Sequence, residues 1–376
     1  METVQPSSKL SLKVQTIIKS TEMKKMLTNF ILLTSLLFSF FYGQAETKYK
    51  DILVSNNIIW ALTDDGRIKI FDSTNGKQLD KNISADTDII LITKDKNGNP
   101  VITNKKKQLK KYNQSTNSWE VVGQYDAEPF GILVDSKGSY FSITANGIQD
   151  LATKEFYFNK NSLNHQITYR DEWGKPYCFY IDKNDIIWLG FGYGEWGGNL
   201  FAFQTGNKTF LDLSLGRFEI ALNPIKSFFE DSTCLYISAG LQHMMTKGII
   251  VKVDNLKTSI LLNSNSHWSV PTGKDSVKTM IDGEYIGPAT YNSFNNSLYF
   301  YSQNGIFRGD KAKDLSLIEN WEKVVSPKLT WKYGQPDAVG SPMNVLKLCI
   351  IDKTKFVFLS QNNGIGFFDG QKIVML

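Results

Sequence analysis

A short unit of two strands joined by a tight polar turn recurs seven times between residues 52 and 360. In the fourth copy it reads CFYIDKNDIIWLG, with the turn at residues 182–185. Short apolar runs separated by Asn, Asp, Gly and Lys indicate antiparallel strands, and helical periodicity is almost absent after residue 46. The second strands of the seven copies are centred on Trp60, Val101, Phe141, Trp188, Tyr236, Tyr299 and Phe356. The chain is therefore a repeat protein built from strands.

The spacing of these residues predicts the architecture. Neighbouring copies lie 40 to 63 residues apart, which is the length of one four-stranded propeller blade plus its loops. A third strand is recognisable at 66–72, 107–113, 198–204, 248–254, 305–310 and 364–370. We therefore predict an all-β, single-domain, seven-bladed β-propeller of four-stranded antiparallel blades over residues 46–376. The alternative, a pair of β-sandwiches, predicts no such register.

Two copies carry a more specific pattern. Residues 185–190 read DIIWLG and are followed by Gly197-Gly198 and Phe203, and residues 58–72 repeat the pattern around Trp60. This resembles the two-component regulator propeller repeat, which occurs in sensor proteins and secreted proteins of Bacteroidetes-type bacteria. The other five copies lack the tryptophan, and several lack the paired glycines. The resemblance implies the propeller fold, a tryptophan packed between blades and a glycine turn, but no catalytic residue.

The first 45 residues have the composition of an export signal. Lys24 and Lys25 precede an apolar run at 26–41, which ends at Gly43-Gln44-Ala45 with small residues at alternate positions. We predict a signal peptide at 23–45, preceded at 1–22 by an extension upstream of Met23. An N-terminal membrane anchor is the alternative, although the apolar run is short for a span. The predicted location is the periplasm or the exterior, with no stable membrane span after cleavage.

Net charge bears on the class of partner, and cysteine spacing bears on whether disulfides form. Residues 1–45 contain five lysines and two glutamates, so their removal lowers the net charge from +5 to +2. A nearly neutral chain has no nucleic-acid footprint. Three widely spaced cysteines, Cys178, Cys234 and Cys349, lie in apolar stretches, which favours buried free thiols over a disulfide framework.

Two segments resemble ligand motifs, but neither predicts a ligand. Gly192, Gly194 and Gly197 match a dinucleotide fingerprint, yet an apolar, β-prone run follows where that fingerprint needs a helix. We therefore expect a hairpin whose glycines adopt positive φ. Residues 95–99 (DKNGN) resemble a calcium loop without its closing glutamate, so we interpret them as a turn. No cofactor and no metal site are predicted.

Loop lengths point to one face of the propeller. The turns between first and second strands are short, whereas long connections fall at 159–176, 190–197, 214–224, 239–247, 263–287 and 326–342. Long loops in a compact domain usually carry function, and these contain many aromatic and charged residues. The predicted ligand-binding residues, beside blades 4 and 5, are Trp173, Glu195, Trp196, His243 and Trp268. A second interpretation is that these aromatics only fold the loops over the channel.

Two function classes fit this face. One is a secreted binding module for a glycan, peptide or protein. The other is a propeller-type lyase or hydrolase that uses His165, His243 or His267 with a carboxylate as an acid–base pair. Three histidines and no local catalytic motif favour the binding module, and no catalytic residue is assigned.

The export signal makes a direct prediction. If cleavage follows Ala45, the mature chain begins Glu46-Thr47-Lys48. Mass spectrometry of the protein from its native host should detect that N-terminal peptide. Recovery of intact protein that retains residues 24–44 would instead support the membrane anchor.

Overall fold

The structure is a computed structural model that describes residues 47–80, 83, 86–158, 175–192, 198–243, 245–271, 277–330 and 345–376. At 243, 245, 265–271 and 277–282 it describes the backbone without the side chains. The chain divides into the units Met1–Thr47 and Lys48–Leu376. The second unit contains all the strands described below and two 3-10 helices, Ile220–Leu222 and Ile318–Asn320.

Seven antiparallel sheets follow one another along the chain, each with its strands in chain order. Blade 1 consists of β1 (Tyr49–Ser55), β2 (Ile58–Thr63) and β3 (Ile68–Asp72). Blade 2 consists of β4 (Ile89–Lys94), β5 (Pro100–Asn104), β6 (Gln108–Asn113) and β7 (Ser118–Gln124). Blades 3 and 4 are β8 (Pro129–Val134), β9 (Tyr140–Thr144), β10 (Gly147–Asp150), β11 (Phe156–Tyr157), and β12 (Cys178–Ile181), β13 (Ile186–Gly192), β14 (Gly198–Gln204), β15 (Thr209–Leu211).

The remaining blades follow the same order, with one hairpin inserted between blades 5 and 6. Blade 5 consists of β16 (Ile225–Glu230), β17 (Leu235–His243), β18 (Met245–Asp254) and β19 (Lys257–Asn263). The inserted hairpin consists of β20 (Asn265–Pro271) and β21 (Val277–Gly283). Blades 6 and 7 are β22 (Ala289–Asn292), β23 (Ser297–Ser302), β24 (Gly305–Asp310), β25 (Trp321–Val325), and β26 (Val345–Ile350), β27 (Phe356–Ser360), β28 (Ile365–Phe368), β29 (Ile373–Met375).

The seven sheets close into a ring around a central channel. The first strand of each blade contacts the first strand of the next, and β26 contacts β1, so these seven strands line the channel. Blade 1 has three full strands, and a single bridge between Phe71 and Gln78 stands in place of the fourth. Blade 7 uses four consecutive strands, so the ring closes without an exchanged strand. The predicted seven-bladed propeller is confirmed, and the pair of β-sandwiches is wrong.

The second strands are buried on both faces because each blade lies between two others. In β2, Ile59 and Ala61 pack against blade 7, whereas Trp60 packs against Tyr112 of blade 2 at 5.0 Å between ring centroids. Trp188 of β13 likewise lies between blades 4 and 5. The tryptophans therefore pack between blades, as predicted, through the two-residue alternation of a strand.

In the seventh repeat, the residue predicted as the centre of the second strand is shifted by one position relative to the other six repeats. The other six predicted residues contact the following blade, but Phe356 of β27 packs against blade 6. Val357 faces blade 1 in its place, together with Leu359. The sequence FVFL is apolar on both faces of the strand, so its alternation does not reveal which residues point forward.

Five of the seven turns between first and second strands begin with an aspartate that closes the turn. These residues are Asp95, Asp135, Asp182, Asp231 and Asp352. In blade 4, Oδ1 of Asp182 accepts hydrogen bonds from the backbone N–H of Asn184 (2.9 Å) and Ile186 (3.0 Å). Its Oδ2 accepts one from Nε1 of Trp188 at 2.9 Å, which joins the turn to the packing between blades.

The segment that resembles a calcium loop is such a turn. Oδ1 of Asp95 accepts hydrogen bonds from the backbone N–H of Asn97 (2.9 Å) and Asn99 (2.8 Å). The side-chain amide of Asn99 donates to Oδ2 at 3.1 Å. The interpretation of residues 95–99 as a turn is confirmed.

Polar contacts link neighbouring blades all around this face, which we call the short-turn face. From blade 1 onward they join Ser55 to Gly98, Lys96 to Ser136, Ser136 to Asp185, Lys183 to Glu230, Lys311 to Asp231, Asn292 to Asp352, and Lys355 to Thr74 of blade 1. Burial alone would raise the pKa of Asp231, but hydrogen bonds from Lys311 and Thr233 hold it well below its usual range. This carboxylate is fully buried and paired across the blade boundary.

The glycine cluster that resembles a dinucleotide fingerprint forms the predicted hairpin. Gly192 pairs with Gly198 across β13 and β14, so a strand follows where a phosphate loop needs a helix. The expectation of positive φ is wrong for Gly192, which lies in regular strand, and Gly194 and Gly197 lie outside the described residues. A methyl group at Gly192 would lie 3.1 Å from Cβ of Pro224. The glycine leaves room for the chain that enters blade 5.

The same arrangement recurs one blade later. Gly240 of β17 pairs with Gly248 of β18, so this part of the sheet surface has no side chains. The fully buried Ile286 packs directly on it. A methyl group at Gly248 would overlap the backbone nitrogen of Ile286 and lie 2.7 Å from the carbonyl oxygen of Glu284. Two side chains are thus omitted so that the entry to blade 6 can pack directly on blade 5.

This close approach predicts the effect of adding one methyl group. Gly248→Ala should lower the free energy of unfolding by about 1 to 3 kcal/mol, because the obstacle is backbone that must shift. Gly123→Ala on the outer strand β7 is the matched control, since a methyl group there would have its nearest neighbour at 3.8 Å. Urea denaturation of both variants measures the difference. Equal stability of the two variants would contradict the packing described for Ile286.

Candidate functional site at the channel mouth

The face opposite the short turns carries the long connections, and two of them are hairpins. The predicted loop at 239–247 is wrong, because β17 and β18 continue and pair as far as His243 and Met245. The predicted connection at 263–287 contains the hairpin β20–β21, and β21 lies against β18. The connection at 214–224 includes the short helix Ile220–Leu222. We call this side the long-connection face.

The structure describes only part of the predicted ligand-binding set. Trp173, Glu195 and Trp196 lie outside the described residues. His243 is the last residue of β17, and Trp268 lies in β20 opposite Met280. The backbones of these two residues thus belong to neighbouring hairpins on one side of blade 5. Their side chains are not described, so the predicted set remains a prediction. Of the other histidines, His267 lies in β20 and His165 lies outside the described residues.

A β-bulge near the start of the first strand recurs in five blades. In blade 5, Ile225 pairs with Ala239 and Ser227 with Ser238, which leaves Lys226 without an opposite residue. The skipped residues, which we call the bulge ring, are Lys50, Ile90, Phe130, Lys226 and Leu346. Bulges often occur beside functional sites because the extra residue redirects a side chain.

The bulge ring is exposed where its neighbours are buried. Ile89, Pro129, Ile225 and Val345 precede ring residues and are all buried, whereas every ring residue is half-buried or exposed. First strands begin where second strands end, so the ring lies at the end of the channel that opens on the long-connection face. Tyr177, one residue before β12, occupies the same level in blade 4 and is 42% exposed. Cations, aliphatic groups and aromatic rings are therefore all present around the channel mouth.

Among the described residues, Lys226 has no polar partner, unlike Lys50 and Lys347 at the same mouth. Its Nζ lies 4.6 Å from the centre of the Tyr177 ring. By contrast, Nζ of Lys50 donates to the carbonyl oxygen of Ile90 at 2.9 Å, and Lys347 pairs with Asp51 at 2.8 Å. Burial lowers the pKa of Lys226 to about 8, because the charged form loses water without gaining a carboxylate.

Neutral groups surround Lys226. Burial raises the pKa of Tyr177 to about 12 and raises the pKa of the Cys178 thiol, so both stay protonated near neutral pH. The thiols are free, as predicted, but Cys178 and Cys349 lie on channel-lining strands and are half-buried, so only Cys234 fits the prediction of burial.

The described residues contain no group of three or more His, Cys, Asp or Glu side chains positioned to hold a metal ion. Within the same ranges, no helix has the length and apolar content to cross a bilayer. A wide, open cavity of about 550 Å³ lies elsewhere, between the turns of blades 1 and 7 on the short-turn face. There Lys355 already donates to Thr74 and pairs with Asp352, so this depression offers little chemistry.

Two lysines in the sequence mark positions of the bulge ring. Lys50 and Lys226 each stand in the second position of a first strand, after Tyr49 and Ile225, in YKDILV and IKSFFE. A bulge allows a charged residue to occur there without entering the packing between blades.

Comparison with known proteins supports the fold and adds no family. No family model matches the chain, and no curated protein matches it. Among solved structures, U3-55K has a TM-score of 0.51 at 8% identity, covering 85% of this chain and 90% of that chain. At this identity the likeness concerns the fold alone.

Two bacterial structures have weaker scores. PorZ of Porphyromonas gingivalis, an essential surface component of the type-IX secretion system, has a TM-score of 0.49 at 12% identity and covers 87% of this chain. The extracellular domain of a hybrid two-component system from B. thetaiotaomicron has a TM-score of 0.41 at 14% identity and covers 88%. The match extends over 47% of each of those chains, so this chain spans about half their length. Neither score carries a conclusion about function.

The lowered pKa of Lys226 predicts a pH dependence of stability. Its folded value of about 8 lies below the unfolded value of about 10.4, so between them the unfolded chain binds more protons. The contribution of Lys226 to stability therefore rises with pH across that window. Lys226→Met should be more stable than the natural protein at pH 7, and the advantage should shrink by pH 9.5.

Chemical denaturation at pH 7, 8 and 9.5 measures this difference, and Lys257→Met on the exposed outer strand β19 is the control. A Lys226→Met variant that is less stable than the natural protein at pH 7 would contradict the unpaired ammonium.

Proposed function

We propose that this chain is an exported β-propeller that binds a ligand at the channel mouth on its long-connection face. The observation that carries the proposal is the bulge ring, which redirects five side chains to the end of the channel where the long connections lie. The opposite face supports it as well, because its turns are short and are bound to one another by blade-to-blade polar contacts. Export is proposed from the leader at 23–45, with cleavage before Glu46 and the propeller as the mature protein.

The ligand class proposed is a glycan, a peptide or a protein. Trp173, Trp196 and Trp268 are proposed as stacking surfaces, with Glu195 and His243 as orienting groups. Two of the five residues support a shared surface, because His243 ends β17 of blade 5 and Trp268 lies in the inserted hairpin whose β21 lies against β18. A relationship to the regulator propeller repeat is proposed from the copies around Trp60 and Trp188.

Binding with point variants tests this proposal. A glycan and peptide array is screened with the natural protein, and each hit is measured again with Trp196→Ala and His243→Ala. Loss of a stacking surface should weaken binding by about 1 to 2 kcal/mol and leave the unfolding transition nearly unchanged. Phe294→Ala is the matched control, because this aromatic is 62% exposed on the short-turn face. A hit weakened by Phe294→Ala and by neither other variant would refute the assignment of the face.

The same variants address the enzymatic alternative. If a hit is turned over and turnover disappears in His243→Ala or His267→Ala, the lyase or hydrolase is correct and the pure binding module is wrong. Unchanged ligand after long incubation, with binding still sensitive to His243→Ala, supports the binding module.

A further inference from the structure

Positive charge exceeds negative charge among the first residues of the described strands that line the channel. Among the first three residues of the seven first strands, the charged side chains are Lys50, Asp51, Lys226 and Lys347. Asp51 is already paired with Lys347. Lys50 uses a backbone carbonyl of the next blade as its acceptor. Within this set, Lys226 is the lysine that has neither a carboxylate nor a carbonyl partner.

Lys226 also has unused hydrogen-bonding capacity. An ammonium carries three N–H donors, and no described oxygen accepts from Nζ of Lys226. The contact that it makes is with the face of the Tyr177 ring. Cys178 stays neutral because its pKa is raised. Across the blade boundary, Glu284 is bound by Ser302 and by Asn304 at 3.0 Å, so its carboxylate is committed elsewhere.

We propose that the ligand of the channel mouth is an organic anion whose carboxylate is bound by Lys226. This inference rests on the proposed function and specifies its ligand chemistry. A carboxylate supplies both the acceptors and the negative charge that Lys226 lacks, and charge-assisted hydrogen bonds are the strong ones. Tyr177 on one side and Phe130 in blade 3 provide apolar surface for the body of the ligand. An acidic sugar or another small carboxylic acid has this combination of groups.

Selective labelling of Lys226 tests the inference without a known ligand. At pH 8 about half of the Lys226 side chains are neutral, whereas an ordinary lysine is neutral in under about 1% of molecules. Acetic anhydride should therefore modify Lys226 faster than the exposed Lys257, as measured by peptide mass spectrometry. D-Glucuronate should slow the modification of Lys226, and the neutral sugar D-glucose should not. Benzoate and benzyl alcohol form a second pair that separates acidic sugars from other carboxylic acids.

A variant pair gives an independent measurement. Calorimetric binding of the protecting anion should weaken about tenfold or more in Lys226→Met, because a charged hydrogen bond is removed. Lys226→Arg should retain part of the affinity, since the positive charge remains. Lys257→Met should bind as the natural protein does. Equal protection by the anion and its neutral counterpart in both pairs, D-glucuronate with D-glucose and benzoate with benzyl alcohol, would overturn the inference.

The outcomes distinguish this inference from the broader proposal. If an array ligand is lost in Trp196→Ala but binds Lys226→Met normally, the binding face stands and the anion inference is wrong. If anions protect Lys226 while every array ligand is unaffected by Trp196→Ala and His243→Ala, the anion site stands and the assignment of the predicted residues is wrong.

Discussion

Sideways packing of one blade against the next is the interaction on which the rest of this structure depends. The second strand of each blade is buried on both faces, and in blade 1 its two sets of side chains enter two different cores. The last of these cores joins Val357, Leu359 and Phe367 of blade 7 to Ile52, Ile59 and Phe71 of blade 1. Since no strand is exchanged across that boundary, apolar burial there, assisted by the pair Lys347–Asp51, is what keeps the ring closed.

Closure of the ring explains why the two faces differ. On the short-turn face, aspartates close the turns and polar side chains connect each blade to its neighbour, so the backbone there has few unsatisfied groups. On the other face, the strands of blade 5 extend to His243 and a further hairpin stands beside them. One side of the ring is thus committed to holding the blades together, and the other is available for recognition.

The sequence was sufficient to predict the ring because blade packing depends on patterns that a single sequence contains. Strand–turn–strand units, apolar second strands and aspartate or asparagine turns are all legible, and they led to seven blades. Phase is harder to infer where both faces of a strand are apolar, as in FVFL, so the sequence did not show that Val357 rather than Phe356 packs against blade 1. The hairpin β20–β21 was taken for a loop because its polar sequence does not alternate clearly. The glycines at 240 and 248 are explained by Ile286, which lies 46 and 38 residues further along the chain and which local sequence patterns do not reveal.

The bulge ring has a consequence for how the sequence of such a protein can change. A skipped residue has no opposite partner in its sheet, and the ring residues are half-buried or exposed, so exchanging one leaves the register unchanged. Ile90 alone among the five packs against a core between blades. Lys50, Ile90, Phe130, Lys226 and Leu346 already show a variety that no buried position in these strands has. The chemistry of the channel mouth can therefore change one side chain at a time, separately from the strand pairing that holds each blade together.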